Sequence, residues 1–209
     1  MTGEKSRISE VGENSYPGAY GFVPFMVSYI HDDDEIRPGM LIAPGGAYRY
    51  ASPSEAHLPA MQFYRGGYNV FVLAYTVNYL NKPLKLQPLH DIARAVRIVR
   101  KNCKKYHIDP QKLAMCGFSA GGHLCASLCV HHNDIHDPDA AYDEVAVRPN
   151  AALLCYPVIT SGEYANQESF RALLGENPDP EELEYMSLEK HVNGDVPPCF
   201  IWQTVTDAS

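Results

Sequence analysis

Long apolar runs are missing from this 209-residue sequence, so nothing in it predicts a membrane-spanning helix, which needs about 18 or more apolar residues in succession. Residues 1–7 also lack the apolar stretch that a secretory signal peptide requires, and we expect no such peptide. Positive charge is scarce as well, since 17 Lys and Arg residues face 25 Asp and Glu residues, a formal net charge of −8. Nucleic acids and anionic membranes are bound by basic surfaces, and we therefore expect the chain to bind neither.

Closely spaced cysteine pairs are missing too. None of the six cysteines forms a C-x-x-C motif, and most fall in segments that are predicted to be buried. Buried free thiols are typical of a reducing cytoplasm, which is the location that we expect. Cys125 and Cys129 are four residues apart and His132 follows them, so a metal site is one alternative there. A helix face of small residues packed on a sheet explains this spacing better, and we expect no metal and no cofactor.

A regular alternation of strand-like and helix-like segments is what the sequence does contain. Short runs rich in β-branched and aromatic residues are separated by segments with helical periodicity. This alternation is typical of an α/β fold, with a mostly parallel sheet covered by helices on both faces. A chain of 209 residues is expected to form a single domain over residues 1–209. The predicted strands cover residues 25–30, 40–43, 69–77, 113–116, 151–156 and 199–203.

Two predicted helices have clear start signals. Ser52 is expected to cap a helix in which Pro53 takes the first position and Glu55 completes a capping box, with an end at residues 66–67. A second helix is predicted to begin at Pro88 and to present one apolar face. Its basic residues fall mostly off that face and are expected to be solvated, namely Arg94, Arg97, Arg100 and Lys101.

Residues 160–198 interrupt the alternation with glycines, prolines and many charges. Within them, the sequence Asp179-Pro180-Glu181-Glu182 predicts the start of another capped helix. An insertion above the carboxyl ends of the strands is where α/β folds hold a lid or a substrate pocket, so we expect residues 160–198 to form one.

The sequence Gly117-Phe118-Ser119-Ala120-Gly121 fits the pattern G-x-S-x-G between an apolar run and a helix-prone run. In a strand–turn–helix setting this pattern makes a sharp corner that exposes the serine hydroxyl as a nucleophile. We expect Gly117 and Gly121 to keep the corner tight, because a side chain at either position would collide with the neighbouring strand or helix. The alternative is an ordinary glycine-rich turn between a strand and a helix.

Acyl transfer by a serine needs hydrogen-bond donors for the oxyanion, a base, and an acid that orients the base. The amide that follows the nucleophile, here that of Ala120, is one expected donor. The loop Pro44-Gly45-Gly46-Ala47-Tyr48 follows an earlier buried strand, and its two glycines let backbone amides approach a substrate. The alternative for this loop is again an ordinary turn.

Asp207 is the expected acid because it follows a late predicted strand, whereas the competing Asp195 precedes that strand. In this chain order the base should follow the acid, yet all nine histidines precede Asp207. We expect His123 to pack beside the serine corner and His90 to be structural. No histidine is assigned as the base, including those in the first helix or at the end of the helix after Ser119, which are His57, His131, His132 and His136.

Motifs at residues 44–48, 67–75, 117–124, 156–160 and 202–207 occur in the order found in α/β-hydrolase esterases and lipases. From about residue 40 onward the chain resembles this family, and it is similar to the small bacterial acetyl esterases and the feruloyl or acetyl-xylan esterase-like proteins. The resemblance implies that Ser119 is the nucleophile and Asp207 the triad acid. It also implies an oxyanion hole made by the amides of Gly46, Ala47 and Ala120, with Ala47 where many members have a third glycine.

The resemblance further implies that the α/β-hydrolase fold is incomplete at its C-terminal end. Members of the family continue past the acid with a last strand, a histidine-bearing loop and a closing helix, which this sequence lacks. The strand at residues 199–203 would then be an exposed edge, and we expect it to cause instability or pairing between chains, including a homo-oligomer.

The function that the resemblance implies is serine-dependent hydrolysis of small acyl esters, with acetyl as the expected acyl group and a sugar or related alcohol as its partner. The expected ligand is thus a small-molecule ester, and the 209-residue chain itself is expected to have little activity without the triad histidine. Two alternatives remain open. One is a peptidase of the prolyl-oligopeptidase type, and the other is a non-catalytic binding protein with the same fold.

Overall fold

A seven-stranded sheet forms the centre of the computed structural model, which describes residues 4–7, 22–205 and 207. The strands predicted at residues 25–30, 40–43, 69–77, 151–156 and 199–203 are confirmed, with ends that differ by a few residues. The strands are β1 (Glu4–Arg7), β2 (Phe25–Tyr29), β3 (Arg37–Ala43), β4 (Asn69–Ala74), β5 (Ile108–Phe118), β6 (Ala151–Cys155) and β7 (Cys199–Trp202).

The strand order across the sheet is β1-β2-β4-β3-β5-β6-β7. β2 runs antiparallel to both of its neighbours, β1 and β4. The pairs β4–β3, β3–β5, β5–β6 and β6–β7 are all parallel. The predicted α/β architecture with a mostly parallel sheet is therefore confirmed. Because parallel strands share one carboxyl edge, the loops after β3, β5, β6 and β7 all emerge on the same side of the molecule.

Helices cover both faces of this sheet. Alternate residues of β3 face opposite sides: Met40 and Ile42 pack in one buried cluster with α1, and Leu41 packs in the other with α2 and α3. Among the described residues, no helix is both long and apolar enough to cross a membrane. The helices are α1 (His57–Arg65), α2 (Gln87–Lys101), α3 (Ala120–His131), α4 (Ala140–Asp143), α5 (Gln167–Leu174) and α6 (Pro180–Tyr185).

The basic residues of α2 are not all solvated as expected. Lys101 is exposed, but Arg94 is fully buried and forms an ion pair with the carboxylate of Asp137. Arg97 is also buried and donates hydrogen bonds to the Ile135 carbonyl and to Asp143. The prediction was wrong because the chain between α3 and α4 returns over this side of the helix and supplies carbonyl and carboxylate acceptors. Arg100 is half-buried and donates to backbone and amide oxygens of residues 146 and 150.

The capping box predicted at the start of the first helix is also wrong. Residues Pro53–Glu55 form a short 3-10 turn, Ser52 makes no capping hydrogen bond, and α1 begins only at His57. The Glu55 carboxylate instead accepts hydrogen bonds from the Gly45 amide and the Tyr156 hydroxyl, which both lie outside the helix. The predicted helix end is confirmed, since α1 stops at Arg65 and a glycine with a positive φ follows.

The segment between β6 and β7 carries α5, α6 and a 3-10 turn at Leu188–Lys190. The capped helix start predicted there is confirmed, because Asp179 and Glu182 form a reciprocal capping box at the start of α6. Residues 164–167 of this segment border the carboxyl edge of the sheet next to residues 156–160.

β7 forms one edge of the sheet and leaves its large side chains uncovered. Phe200, Ile201 and Trp202 are 63%, 60% and 46% exposed, respectively. β7 pairs with β6 on one side, and its other side faces away from the sheet. An uncovered apolar edge of this kind offers unpaired backbone groups to another strand.

We expect the 209-residue chain to self-associate through β7, because pairing of two edges would cover both the backbone groups and the apolar side chains. Ile201→Lys places a charge on this edge and should weaken the association by about tenfold or more. Sedimentation velocity over a concentration series would measure this effect. The matched control is Val192→Lys, which changes a similarly exposed residue away from β7 and should leave association unchanged. A chain that stays monomeric throughout the series would contradict the expectation.

Candidate active site

Ser119 occupies the corner between β5 and α3 in a strained backbone conformation. Its φ is 50° and its ψ is −119°, a combination that residues other than glycine rarely adopt. Three backbone hydrogen bonds fix the corner: the Ser119 amide donates to the Cys155 carbonyl at 3.0 Å, and the Ser119 carbonyl accepts from the His123 amide at 3.0 Å and from the Val158 amide at 3.3 Å. The corner is therefore anchored to β6 on one side and to the first turn of α3 on the other.

The two glycines that flank the corner leave no room for a side chain. A Cβ atom on Gly117 would lie 2.3 Å from the Gly121 carbonyl oxygen. A Cβ atom on Gly121 would lie 2.1 Å from the carbonyl oxygen of Ala43, at the end of β3. Since both obstacles are backbone atoms, any larger residue would push α3 away from the sheet and relax the strained conformation of Ser119.

Ser119 lines a cleft of about 410 Å³ at the carboxyl edge of the sheet. Its other walls come from residues 156–160 after β6, from residues 164–167 at the start of α5, and from Gln203 and Asp207 after β7. The structure thus brings together the serine and the carboxylate that the sequence proposes as partners, although they lie far apart in the chain.

Asp207 is held in this cleft by a neighbour from its own loop, because Gln203 Nε2 donates to Asp207 Oδ2 at 3.0 Å. Asp195, the competing acid, precedes β7 and so belongs to the opposite edge of the sheet, where Arg148 Nε donates to its backbone carbonyl at 2.6 Å. Of the two carboxylates, only Asp207 lines the cleft.

The loop after β3 lies directly against Ser119. A Cβ atom on Gly45 would be only 2.9 Å from the Ser119 Cβ atom. The next three residues have positive φ values of 128° at Gly46, 50° at Ala47 and 58° at Tyr48. This run of left-handed residues coils the chain tightly, so successive backbone amides turn toward the same side of the loop.

Internal hydrogen bonds determine where the amides of this loop point. The Gly45 carbonyl accepts from the Ser52 amide at 2.9 Å, and the Gly46 carbonyl accepts from the Arg49 amide at 2.8 Å. In a planar trans peptide the N–H points opposite to the preceding C=O, so the Gly46 and Ala47 amides face away from these contacts. Within the described part of the chain, no backbone acceptor pairs with either amide.

Ala120 contributes a further amide next to the serine. It is the first residue of α3, where N–H groups have no acceptor within the helix. The amides and the positive end of the 12-residue α3 dipole favour negative charge beside Ser119. Amides of the loop after β3 and of the first turn of α3 thus both lie close to Ser119.

His123 is fully buried one helical turn after Ser119, and both of its ring nitrogens are occupied. The Tyr48 hydroxyl lies 2.8 Å from Nδ1, and the Met186 carbonyl accepts from Nε2 at 3.1 Å. Burial lowers the pKa of His123 to about 4, so its ring is neutral near pH 7. The expectation that His123 packs beside the corner is confirmed, and its engaged ring cannot accept the serine proton.

None of the described histidines lines the cleft. His57 Nδ1 lies 3.1 Å from the Tyr29 hydroxyl, which is remote from Ser119 in the sheet. His131 Nε2 bonds to the Tyr185 carbonyl. Burial lowers the pKa of His131 and so disfavours its protonated form, although a cation would be favourable at this C-terminal end of α3. No described histidine is therefore placed to act as a base for Ser119. These residues also contain no group of three or more His, Cys, Asp or Glu side chains that could hold a metal ion.

Glu55 and Tyr156 belong to the site but were not predicted as such. Glu55 Oε2 accepts from the Gly45 amide at 2.8 Å, and Glu55 Oε1 accepts from the Tyr156 hydroxyl at 2.9 Å. Partial burial and the bond to Glu55 raise the pKa of Tyr156 well above its usual value, so the phenol stays protonated and donates. No local pattern in the sequence separates this use of Glu55 from a helix cap.

A serine at a strained strand-to-helix corner, at the carboxyl edge of a mostly parallel sheet with this strand order, defines the α/β-hydrolase class. The chain belongs to the BD-FAE family within it, which matches residues 30–209. The expected resemblance is thereby confirmed.

Two relatives and one solved structure illustrate the similarity. A crystal structure described as an acetyl ester-xyloside bifunctional hydrolase from Caldicellulosiruptor lactoaceticus superimposes with a TM-score of 0.90 at 38% identity, over 100% of this chain and 76% of that one. The chain is 49% identical over 205 residues to endo-1,4-beta-xylanase B of Butyrivibrio fibrisolvens, which is 98% of this chain and 32% of that protein. It is 31% identical over 121 residues to an acetylxylan esterase of Xylanibacter ruminicola, covering 57% of this chain. The chain spans 32% and 22% of the lengths of these two relatives.

The buried His123 should make the protein less stable in acid. The native state binds a proton here only near pH 4, whereas the unfolded chain binds one near pH 6.5, so stability falls as the pH drops between these values. The stability advantage of the parent over His123→Asn should be constant above about pH 6.5 and shrink by about 1.4 kcal/mol per pH unit below it. Urea unfolding at a series of pH values would measure this difference.

Two features make the comparison specific to His123. Burial raises the pKa of Asp91 to about 6, which affects stability in the opposite direction, but both proteins contain Asp91 and its effect cancels. Tyr48→Phe removes the hydroxyl partner of His123 and leaves the ring buried, so it should preserve the pH dependence. A stability difference that does not change between pH 4 and pH 7 would refute this account.

Proposed function

We propose that this protein hydrolyses small acyl esters through Ser119, with acetyl as the acyl group and a sugar or related alcohol as the leaving group. The observation that supports this most is the arrangement around Ser119: the strained serine and a late carboxylate line one cleft, and a loop whose Gly46 and Ala47 amides have no backbone partner among the described residues lies against the serine. The names of relatives, which include an acetylxylan esterase, support the same reaction.

In the proposed reaction, Ser119 Oγ attacks the ester carbonyl carbon and gives up its proton to a base. The carbonyl oxygen becomes an oxyanion that accepts hydrogen bonds from the amides of Gly46, Ala47 and Ala120. Loss of one such donor typically raises the barrier by about 3–4 kcal/mol. The alcohol leaves with the proton, and water then releases the acid from the acyl-serine in a second cycle of the same steps.

We propose further that the base is a histidine outside these 209 residues and that Asp207 accepts a hydrogen bond from its Nδ1–H. The support is twofold. Ser119 and Asp207 line a cleft to which no described histidine contributes. The matched relatives are also much longer than this chain.

The chemistry of the cleft suits an alcohol that carries several hydroxyl groups. Thr160, Gln167 and Gln203 add hydroxyl and amide groups to its walls, and Tyr164, which is 86% exposed, stands at its rim. Hydroxyl and amide groups can both donate to and accept from sugar hydroxyls, while an exposed ring can pack on the apolar face of a sugar. Residues 164–167 belong to the 160–198 segment, which we propose as the lid.

The proposed location is the cytoplasm, and the proposed assembly is a homo-oligomer of this chain through β7. The six cysteines are all free thiols, which suits a reducing compartment. The exposed apolar side chains of β7 support the second proposal.

Labelling with a fluorophosphonate probe tests the role of Ser119 in the complete gene product. We expect an adduct on Ser119 and turnover of p-nitrophenyl acetate, and Ser119→Ala should abolish both. The control is Ser54→Ala, which removes an exposed serine outside the cleft and should change neither. The isolated 209-residue chain should lose turnover by a factor on the order of a million, as serine hydrolases do when a triad member is removed.

The same experiment separates the alternatives. Cleavage of a proline p-nitroanilide in preference to the acetyl ester would favour the prolyl-oligopeptidase-like peptidase. Absence of both the adduct and turnover would favour a binding protein and refute the hydrolase proposal. Full turnover by the 209-residue chain would refute the proposal that the base lies outside it.

A further inference from the structure

Two loops flank Ser119, and a single carboxylate joins them. In the sheet, β5 lies between β3 and β6, so the loops after β3 and β6 pass on either side of the serine corner. Glu55 stands on the 3-10 turn that follows the first loop. One of its carboxylate oxygens accepts from the Gly45 amide at 2.8 Å, and the other accepts from the Tyr156 hydroxyl at 2.9 Å. The carboxylate therefore spans the two walls of the corner.

The bond to Gly45 fixes a whole peptide plane because the other side of that peptide is held as well. The buried Tyr75 hydroxyl donates to the Pro44 carbonyl at 2.6 Å, while the amide of the same peptide donates to Glu55. A peptide group is planar, so bonds on both sides leave it no freedom to rotate. The orientation of this plane therefore limits the directions in which the next amides, those of Gly46 and Ala47, can point.

The same bond selects which amides of the loop are available. Gly45 lies against the serine, yet its amide donates to Glu55 and is not available to a ligand. The amides of Gly46 and Ala47 have no backbone partner among the described residues. A loop released from Glu55 could instead turn the Gly45 amide toward the cleft and the others away from it.

The bond to Tyr156 extends the connection toward the acid. Tyr156 has a strained φ of 38°, and its amide donates to the Trp202 carbonyl at the end of β7. Its ring contacts that of Trp202 edge-on, with 5.7 Å between the ring centres. A continuous chain of contacts thus leads from the Gly45 amide through Glu55 and Tyr156 to the strand that precedes Asp207.

We propose that Glu55 is a positioning residue for the reaction: its carboxylate holds the loop after β3 so that the Gly46 and Ala47 amides point at the oxyanion. This inference rests on the proposed function, because it assigns those amides to an ester oxyanion. Glu55 does not touch the substrate in this role. It acts through the backbone of residues 44–47 and through Tyr156.

Kinetics of the complete gene product test the proposal, with Glu55→Ala, Glu55→Gln and Tyr156→Phe compared against the parent. Fluorophosphonate titration gives the number of reactive sites, so kcat is expressed per site and misfolded protein is not counted. We expect Glu55→Ala to lower kcat on p-nitrophenyl acetate by about 100-fold to 1000-fold with KM little changed, since aligned donors act mainly in the transition state. Glu55→Gln retains an acceptor oxygen for Gly45 and should recover most of kcat, and Tyr156→Phe should have an intermediate effect.

Glu168→Ala is the matched control. Glu168 pairs with Arg49 at 3.2 Å, so it contacts the same loop with a carboxylate, but from its exposed outer side. It should leave kcat unchanged. An unchanged kcat per site in Glu55→Ala would overturn the proposal, and so would a loss in Glu55→Gln as large as that in Glu55→Ala, which would point to the charge itself.

Amide hydrogen exchange of residues 44–50 separates this inference from the proposed function. Exchange should quicken in Glu55→Ala and not in Glu168→Ala, whether or not the protein is an esterase. If the parent is inactive and unlabelled but exchange becomes faster as expected, the hydrolase proposal fails, whereas the conclusion that Glu55 holds the loop after β3 stands. If the parent is active and neither kcat nor exchange responds to Glu55→Ala, the inference fails while the hydrolase proposal stands.

Discussion

The close approach of α3 to the ends of β3 and β5 is the constraint on which the rest of the site depends. At Gly117 and Gly121 the backbones are so near that a single added carbon would lie little more than 2 Å from a carbonyl oxygen. This contact forces the chain to turn within one residue, and Ser119 takes the strained conformation that results. Strain of this kind persists only where the surroundings fix it, and here both neighbouring strands and the first turn of the helix do so.

The conformation of the loop after β3 is also fixed by its surroundings, but by hydrogen bonds rather than by steric contact. The carbonyls of residues 44–46 accept hydrogen bonds from the Tyr75 hydroxyl, the Ser52 amide and the Arg49 amide, respectively. The first amide of the loop, that of Gly45, donates to Glu55. These bonds leave the amides of Gly46 and Ala47, together with that of Tyr48, without a backbone partner in the described chain. A polar group that lacks a partner in the protein is ready to bind a ligand at little reorganisation cost, which is what an oxyanion site requires.

The sequence was sufficient for the parts of the structure that depend on local signals. The strands around residues 25–30, 40–43 and 69–77 follow from β-branched and aromatic runs, and the serine corner follows from its two glycines. The burial of Arg94 and the cross-loop role of Glu55 could not be read in the same way. Both depend on partners far away in the chain, Asp137 and Tyr156, and a pattern within one helix carries no information about what folds over it.

The position of Trp202 has a practical consequence for spectroscopy. It is the only tryptophan in the chain and lies at the end of β7, one of the two edge strands, with its ring against Tyr156. Sheet edges open at lower free energy than the interior strands that carry the serine corner. Intrinsic fluorescence will therefore report fraying at the rim beside Asp207 before the centre of the molecule melts, and a midpoint taken from it describes that rim rather than the whole fold.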